Sequence, residues 1–117
     1  MIKILLVDDD EDILHALQFF LKRNRFDVTA VSNAGLVAET ALNTQPDIIL
    51  MDVNLNGYDG RQICRRLRDN NHLTIPIILF SAVPEYHNNI SDYGANGFID
   101  KPFEVKNLID QLHSYLN

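Results

Sequence analysis

Apolar positions follow two different spacings along this chain. Short, nearly continuous apolar runs have the length of buried β-strands, and between them the apolar residues recur every three or four positions, as on one face of a helix. The apolar runs cover residues 2–7, 27–31, 48–51, 77–80 and 97–100. Five strand-and-helix pairs in succession predict a parallel sheet with helical crossovers.

Each predicted strand is followed by a segment of helical spacing. These segments are marked by Ile13 to Leu21, residues 34–43, Ile63 to Leu67, Tyr86 to Tyr93, and Val105 to Leu116. A loop from 54 to 60 precedes the third of them, and the last runs to the chain terminus. The fourth is short and contains Asn88 and Asn89, which are poor residues for a helix interior. The pattern therefore predicts five helices, the fourth of them the weakest.

Four of the five predicted strands end at a charged or hydroxyl-bearing side chain. Those side chains are Asp8 and Asp9, Asp52, Ser81 and Lys101. Right-handed crossovers bring the carboxyl ends of parallel strands to one edge of the sheet, where open α/β sheets bind ligands. Residues far apart in the sequence are therefore predicted to form one crevice.

The predicted crevice holds three carboxylates, those of Asp8, Asp9 and Asp52. Crowded carboxylates repel one another, and in an empty site this repulsion raises at least one pKa. Mg²⁺ suits such a cluster because it prefers oxygen ligands and commonly acts beside a phosphate. The positive charges of Mg²⁺ and Lys101 would balance the three acids, so a phosphoryl group would enter a neutral pocket. The acids at 10–12 are expected to cap the first helix instead.

Composition narrows the class of protein further. A chain of 117 residues with 46% hydrophobic residues predicts one globular domain, 1–117. The net charge of -6 and the lack of a basic run disfavour direct nucleic-acid binding, and no apolar stretch approaches the roughly 20 residues of a membrane span. The single cysteine, Cys64, cannot form an internal disulfide, and acids at 8–12 interrupt any signal peptide. We therefore expect a cytoplasmic protein without membrane insertion.

These residues resemble the receiver domains of bacterial two-component response regulators, and the resemblance spans essentially the whole chain. It implies a flavodoxin-like, doubly wound α/β fold with a five-stranded parallel sheet in the order 2-1-3-4-5 and five helices. The motifs that carry the resemblance are Ile4-Leu5-Leu6-Val7-Asp8-Asp9, Ile48-Ile49-Leu50-Met51-Asp52, Asn56-Gly57-Tyr58-Asp59-Gly60, Leu79-Phe80-Ser81-Ala82, and Gly94-Ala95-Asn96-Gly97-Phe98-Ile99-Asp100-Lys101-Pro102-Phe103.

The resemblance also implies a role for each polar residue of the crevice. Asp52 would accept a phosphoryl group from a phosphohistidine on a sensor histidine kinase or a phosphotransfer protein. Asp9 would bind Mg²⁺ directly, Asp8 mostly through a water, and Asn54 through its backbone carbonyl. Lys101 would pair with a phosphoryl oxygen and stabilise charge that develops during transfer.

The resemblance further implies a conformational switch. Ser81 would donate a hydrogen bond to another phosphoryl oxygen and, by moving, vacate space into which the ring of Phe98 turns. The surface of the fourth helix, fifth strand and fifth helix would then be remodelled for an unknown output domain or target protein. The Lys101–Pro102 peptide bond is expected to be cis, an isomer that X-Pro bonds tolerate.

Two other functions stay open at this stage. A pseudo-receiver would bind partners without phosphotransfer. A phosphohydrolase of the haloacid dehalogenase type would also use an Asp nucleophile with Mg²⁺, but it needs a second acid two residues later, where this chain has Asn54. A receiver would instead assist its own phosphorylation and dephosphorylation and would not be a turnover enzyme. The chain departs from the family pattern at Asn56, where proline is most common, and we expect a more flexible loop with little chemical effect.

Overall fold

Seven strands and four α-helices form the fold in the computed structural model, which describes residues 1–116. The strands are β1 Ile2–Val7, β2 Phe26–Val31, β3 Ile48–Asp52, β4 Asn54–Leu55, β5 Tyr58–Asp59, β6 Ile77–Ser81 and β7 Gly97–Asp100. The helices are α1 Glu11–Arg23, α2 Val37–Thr44, α3 Gly60–Asp69 and α4 Val105–Ser114. Asn117, which the predicted domain and last helix include, lies outside the described residues.

The main sheet has the strand order β2-β1-β3-β6-β7, and all neighbouring strands are parallel. The small strands β4 and β5 form a separate hairpin, so β6 and β7 are the fourth and fifth strands of the predicted sheet. The predicted order and the doubly wound, flavodoxin-like fold class are therefore confirmed.

Two hydrophobic clusters fill the space on the two faces of this sheet. Alternate residues of β1 divide between them, because successive side chains of a strand point to opposite faces. Leu5 and Val7 belong to the cluster under α2 and α3, whereas Ile4 and Leu6 belong to the cluster under α1 and α4. Every residue of the central strand β3 is buried, which explains its nearly unbroken apolar run.

The prediction of a fourth α-helix between β6 and β7 is wrong. In its place are two short 3-10 turns, Pro84–His87 and Ile90–Tyr93, which we call together the 84–93 segment. Asn88 between them is extended, and Asn89 has a left-handed backbone with φ 59°. Asparagine tolerates that conformation because its short side chain can hydrogen-bond locally, and a residue in that conformation ends an α-helical run. The described part of the chain thus has four α-helices rather than five.

The predicted loop after β3 contains a regular hairpin. Asn56 and Gly57 connect β4 to β5, and both have positive φ, 49° and 86°. A two-residue connection with positive φ at both positions is a type I′ turn, for which Asn-Gly is a favoured sequence. The turn therefore gives the segment between Asp52 and α3 a defined conformation.

The beginning of α1 follows the sequence prediction. The Asp10 carboxylate accepts hydrogen bonds from the backbone N–H groups of Asp12 at 2.9 Å and Ile13 at 3.3 Å. Glu11 and Asp12 lie in the first turn, where negative charge is favoured by the helix dipole. The predicted capping role of these acids is confirmed. Among residues 1–116, none of the helices has both the length and the apolar character that crossing a membrane requires.

Candidate functional site

The acids predicted from the strand ends lie together at the carboxyl edge of the sheet. β1 and β3 are parallel neighbours with Val7 paired to Met51, so the residues that follow these two positions are adjacent in space. One carboxylate oxygen from each of Asp8, Asp9 and Asp52 lies within 4.8 Å of the other two. Asp8 is 0% and Asp52 6% exposed, while Asp9 is half-buried. The cluster is therefore open to solvent mainly on the Asp9 side.

Lys101 completes the charge arrangement of this cluster. Its Nζ lies 3.1 Å from Asp8 Oδ2 and 3.2 Å from Asp52 Oδ2, and it also lies 4.4 Å from the centre of the Phe80 ring. The Lys101 backbone N–H donates to the Ser81 carbonyl at 2.9 Å, which fixes the residue to the end of β6. The Lys101–Pro102 peptide bond is cis.

One lysine does not neutralise the cluster. The pKa of Asp8 is raised from 3.8 to about 6, first because burial removes water from the carboxylate and also because Asp52 carries a like charge. A hydrogen bond from the Asp10 backbone N–H and the charge of Lys101 act in the opposite direction but do not cancel these effects. An oxygen-only donor set with surplus negative charge fits a hard divalent cation such as Mg²⁺.

The two predicted switch residues lie on one face of the sheet. Ser81 ends β6 and is buried, and its Oγ accepts a hydrogen bond from the Val83 backbone N–H at 3.0 Å. Phe98 in β7 pairs with Leu79, two positions before Ser81 and thus on the same side of β6. The Phe98 ring is partly exposed and lies 5.0 Å from the imidazole ring of His87 in the 84–93 segment. The two residues are thus placed beside that segment.

Asn54 contacts the site through its backbone. Its N–H donates to Asp52 Oδ1 at 3.2 Å, and its side chain is exposed at the beginning of β4. Its carbonyl group stays a predicted metal ligand. This contact orients the Asp52 carboxylate from the hairpin side, whereas Lys101 contacts the other oxygen.

Sequence reasoning missed two features next to the site. The Asn56 backbone N–H donates to Asp9 Oδ2 at 3.0 Å, across 47 positions of the chain. Gly60 begins α3 so close to the sheet that an added Cβ would lie 2.2 Å from the Asp52 carbonyl oxygen. The Asn-Gly pair is a sequence signal for the turn, but a backbone donor and a close approach leave no signal in residue type.

The fold and the crevice together define a doubly wound α/β domain with an acidic, lysine-containing site at the carboxyl edge of its sheet. The family model of the response regulator receiver domain matches residues 4–113 of this chain. This chain belongs to the response regulator receiver domain family of two-component systems.

Relatives and solved structures agree with this assignment. The chain is 32% identical over 118 residues to the response regulator ArlR of Staphylococcus saprophyticus, covering 99% of this chain and 53% of that protein. It is 36% identical over 115 residues to the transcriptional regulatory protein CseB of Streptomyces coelicolor, covering 97% and 48%. The BeF₃-activated N-terminal receiver domain of Klebsiella pneumoniae RstA superposes with a TM-score of 0.91 at 27% identity, covering 98% of each chain. The chain thus spans about half the length of the curated relatives it matches.

Proposed function

We propose that this chain is a phosphorylation-dependent switch in which Asp52 accepts a phosphoryl group from a phosphohistidine of a sensor histidine kinase or a phosphotransfer protein. The observation that carries this proposal is the surroundings of the Asp52 carboxylate. It is buried, lies 3.2 Å from Lys101 Nζ, and shares its cluster with Asp8 and Asp9. A nucleophilic oxygen and compensating positive charge are what phosphoryl transfer to a carboxylate needs.

The proposed step is an in-line displacement at phosphorus. An Asp52 carboxylate oxygen forms a bond to phosphorus while the phosphorus–nitrogen bond of phosphohistidine breaks. The electron pair of that bond returns to the imidazole nitrogen, which takes a proton from solvent. The products are an acyl phosphate on Asp52 and a free histidine on the donor. Because the Asn54 N–H already holds Asp52 Oδ1, the carboxylate is oriented before the donor arrives.

Lys101 and Ser81 would stabilise the charge on the transferring group. The ammonium group of Lys101 already contacts Asp52, so a phosphoryl oxygen bound there would meet a placed positive charge. The Ser81 hydroxyl, on the strand next to β3, is the neutral donor proposed for a second oxygen. The hydrogen bond from the Lys101 backbone N–H to the Ser81 carbonyl joins the backbones that carry these two groups, which supports their action at one site.

Mg²⁺ is part of the proposal. Asp8, Asp9 and Asp52 would hold it, together with the Asn54 carbonyl, and the raised pKa of Asp8 supports the presence of a cation. The ion would supply positive charge that offsets the repulsion between the acids and an incoming phosphoryl group. The chain would assist its own phosphorylation and dephosphorylation and would not turn over an external substrate.

The output of the switch would be a change at the surface of the 84–93 segment, β7 and α4. Phosphorylation would favour the arrangement in which Ser81 contacts the phosphoryl group and Phe98 turns inward. The partly exposed Phe98 ring, packed on His87, supports an outward arrangement before phosphorylation. This shift of population changes the surface that partners meet.

The partners of the switch are also proposed. The transcriptional regulators among the relatives are about twice as long as this chain, which supports an output domain or a separate target protein that reads the switch. The net charge of -6 supports recognition of proteins rather than direct nucleic-acid contact by this domain. The proposed location is the cytoplasm, which agrees with one buried, unpaired cysteine.

Incubation with acetyl phosphate and Mg²⁺ tests the function, with intact-mass spectrometry as the measurement. We expect a mass gain of one phosphoryl group in the wild-type chain and none in Asp52→Asn. Lys101→Ala should stay folded but gain the group about 100-fold more slowly. Asp110→Asn, an exposed acid of α4, is the control that should behave like wild type.

Three other outcomes would contradict this proposed function or its acceptor residue. A folded wild-type chain that gains no mass would make it a pseudo-receiver. Multiple turnover of a simple phosphate ester would make it a hydrolase. An unchanged mass gain in Asp52→Asn would place the acceptor at another residue.

A further inference from the structure

We infer that the backbone N–H of Asn56 positions Asp9 for metal binding. The inference rests on the proposed Mg²⁺ site and goes beyond it, because it assigns a positioning function to a residue outside the set of ligands. The carrying observation is the hydrogen bond from Asn56 N–H to Asp9 Oδ2 at 3.0 Å.

Each of the three clustered carboxylates accepts one backbone N–H. Asp8 accepts from Asp10 at 2.9 Å and Asp52 accepts from Asn54 at 3.2 Å, in both cases from the residue two positions later. These two bonds are local and form wherever the backbone turns after the acid. Asp9 differs, because its donor lies 47 positions away. Among the three backbone donors, only that of Asp9 is thus a tertiary contact.

Asp9 is also the acid with the least other support. It is half-buried, while Asp8 and Asp52 are buried and both contact Lys101. A carboxylate at the solvent edge of a cluster loses side-chain freedom when it binds an ion. The hydrogen bond from the Asn56 N–H reduces the side-chain entropy that is lost on metal binding, because it fixes one carboxylate oxygen of Asp9 before the ion arrives.

The turn type explains why this donor is available. The positive φ of Asn56, 49°, followed by 86° at Gly57, accompanies a hairpin tip that contacts Asp9, the second residue after β1. A proline at position 56 has no N–H and has φ near −65°, so it could make neither the turn nor the bond. The sequence alone suggested little chemical effect of this position, and the bond to Asp9 changes that expectation.

The expected effect is a loss of Mg²⁺ affinity when the donor is removed. Hydrogen bonds that orient the ligands of a metal typically change its affinity by about 10- to 100-fold when they are lost. We expect the Mg²⁺ dissociation constant of Asn56→Pro to rise by about 10-fold or more. Asn56→Gly keeps the N–H and accepts positive φ, so it should stay within about twofold of wild type.

A titration of the full chain with MgCl₂, followed by two-dimensional ¹H–¹⁵N NMR, measures these constants and reports folding in the same spectra. Gly57→Ala is the matched control for turn strain. Its φ of +86° disfavours an L side chain, whereas the added Cβ would meet nothing within 4 Å, and the Asn56 N–H is kept. We expect Gly57→Ala to lose stability but to bind Mg²⁺ more tightly than Asn56→Pro does.

Two results would overturn the inference while leaving the proposed function intact. One is wild-type affinity in folded Asn56→Pro. The other is an equal loss of affinity in Gly57→Ala, which would mean that the shape of the turn matters and the donor does not. A wild-type chain that shows no Mg²⁺-dependent shifts would overturn both the inference and the proposed metal site.

Amide hydrogen exchange covers the case in which Asn56→Pro fails to fold. In the metal-free wild-type chain the Asn56 N–H should exchange more slowly than in Asp9→Ala, which removes its acceptor. Equal exchange rates in the two proteins would show that the bond is not formed in solution, and the inference would fail.

Discussion

Asp8 is the residue of the site whose chemistry depends most clearly on its surroundings. It is 0% exposed, and its pKa is raised from 3.8 to about 6 by burial and by the charge of Asp52. Lys101 contacts both acids and so restrains the shift without removing it. Without a cation, the Asp8 carboxyl should therefore change its protonation state near pH 6 rather than near pH 4.

This shift predicts how stability depends on pH. Asp8 has a higher pKa in the folded chain, about 6, than in the unfolded chain, 3.8, so the folded state binds more protons between these values. The free energy of unfolding should therefore fall as pH rises through this window, by on the order of 3 kcal/mol from this residue alone. Urea unfolding at a series of pH values, with a metal chelator present, measures this change in the free energy of unfolding.

The control for this prediction is Asp8→Asn, which carries no titrating group at the position. The difference in unfolding free energy between wild type and Asp8→Asn should change with pH in the same window, while titration of other groups cancels. A difference that stays constant from acid to neutral pH would contradict the raised pKa.

At the scale of elements, α3 contacts the 84–93 segment through the side chain of Arg61. The Arg61 guanidinium lies 4.5 Å from the Tyr86 ring centre and 5.2 Å from that of Tyr93. Arg61 also forms several hydrogen bonds with the Asp59 carboxylate, which lower the pKa of Asp59 although burial raises it. Asp59 belongs to β5, so these contacts connect the hairpin, α3 and the 84–93 segment.

Removing the Arg61 side chain should therefore loosen the 84–93 segment locally. Two cation–π contacts and an ion pair at partly exposed positions contribute about 1–2 kcal/mol together. Arg61→Ala should then increase amide hydrogen exchange in the segment by about 5- to 30-fold. Arg66→Ala, which removes an exposed arginine of the same helix, is the matched control. Equal amide exchange rates of the 84–93 segment in the two variants would show that the Arg61 side chain does not stabilise that segment.

The same contacts explain why the fourth helix was predicted wrongly. Tyr86, Ile90 and Tyr93 recur at helical spacing, and Tyr86 and Ile90 do pack against the cluster under α2 and α3. Two short 3-10 turns also place Tyr86 and Ile90 on that face, and Arg61 of α3 lies beside the rings of Tyr86 and Tyr93. The apolar spacing thus predicted which side of the segment packs against the core but not its backbone conformation.

At the scale of the whole molecule, the proposed ion would contribute to stability because its proposed ligands follow β1 or lie in β3 and β4, which come together only in the folded chain. Mg²⁺ at about 100 times its dissociation constant should raise the free energy of unfolding by about 2.7 kcal/mol. Thermal unfolding with MgCl₂, compared with NaCl of equal ionic strength, measures the gain. Asp9→Ala should lose most of it, and an equal gain with NaCl would contradict specific binding.

Much of the fold and of the site could be predicted from residue types. The parallel sheet and the meeting of Asp8, Asp52 and Lys101 at one edge follow from apolar runs that end in polar residues, because parallel strands bring their carboxyl ends together. The strand order was implied only by the resemblance to receiver domains. The type I′ turn at Asn56-Gly57 was not predicted, although its sequence is a known signal for that turn. The close approach of Gly60 to the Asp52 backbone carried no such signal.

The sequence by itself determined which side chains are buried and which acids, hydroxyl and lysine gather at the edge of the sheet. The buried positions follow from side-chain periodicity, and the residues at the edge follow from the direction of the strands. Residue types alone predict periodicity and strand direction. Only the tertiary structure decided that Asn56 donates to Asp9 and that Arg61 braces the 84–93 segment. These contacts join residues distant in sequence through a backbone N–H and through ring faces, and their formation depends on the final distances between packed elements.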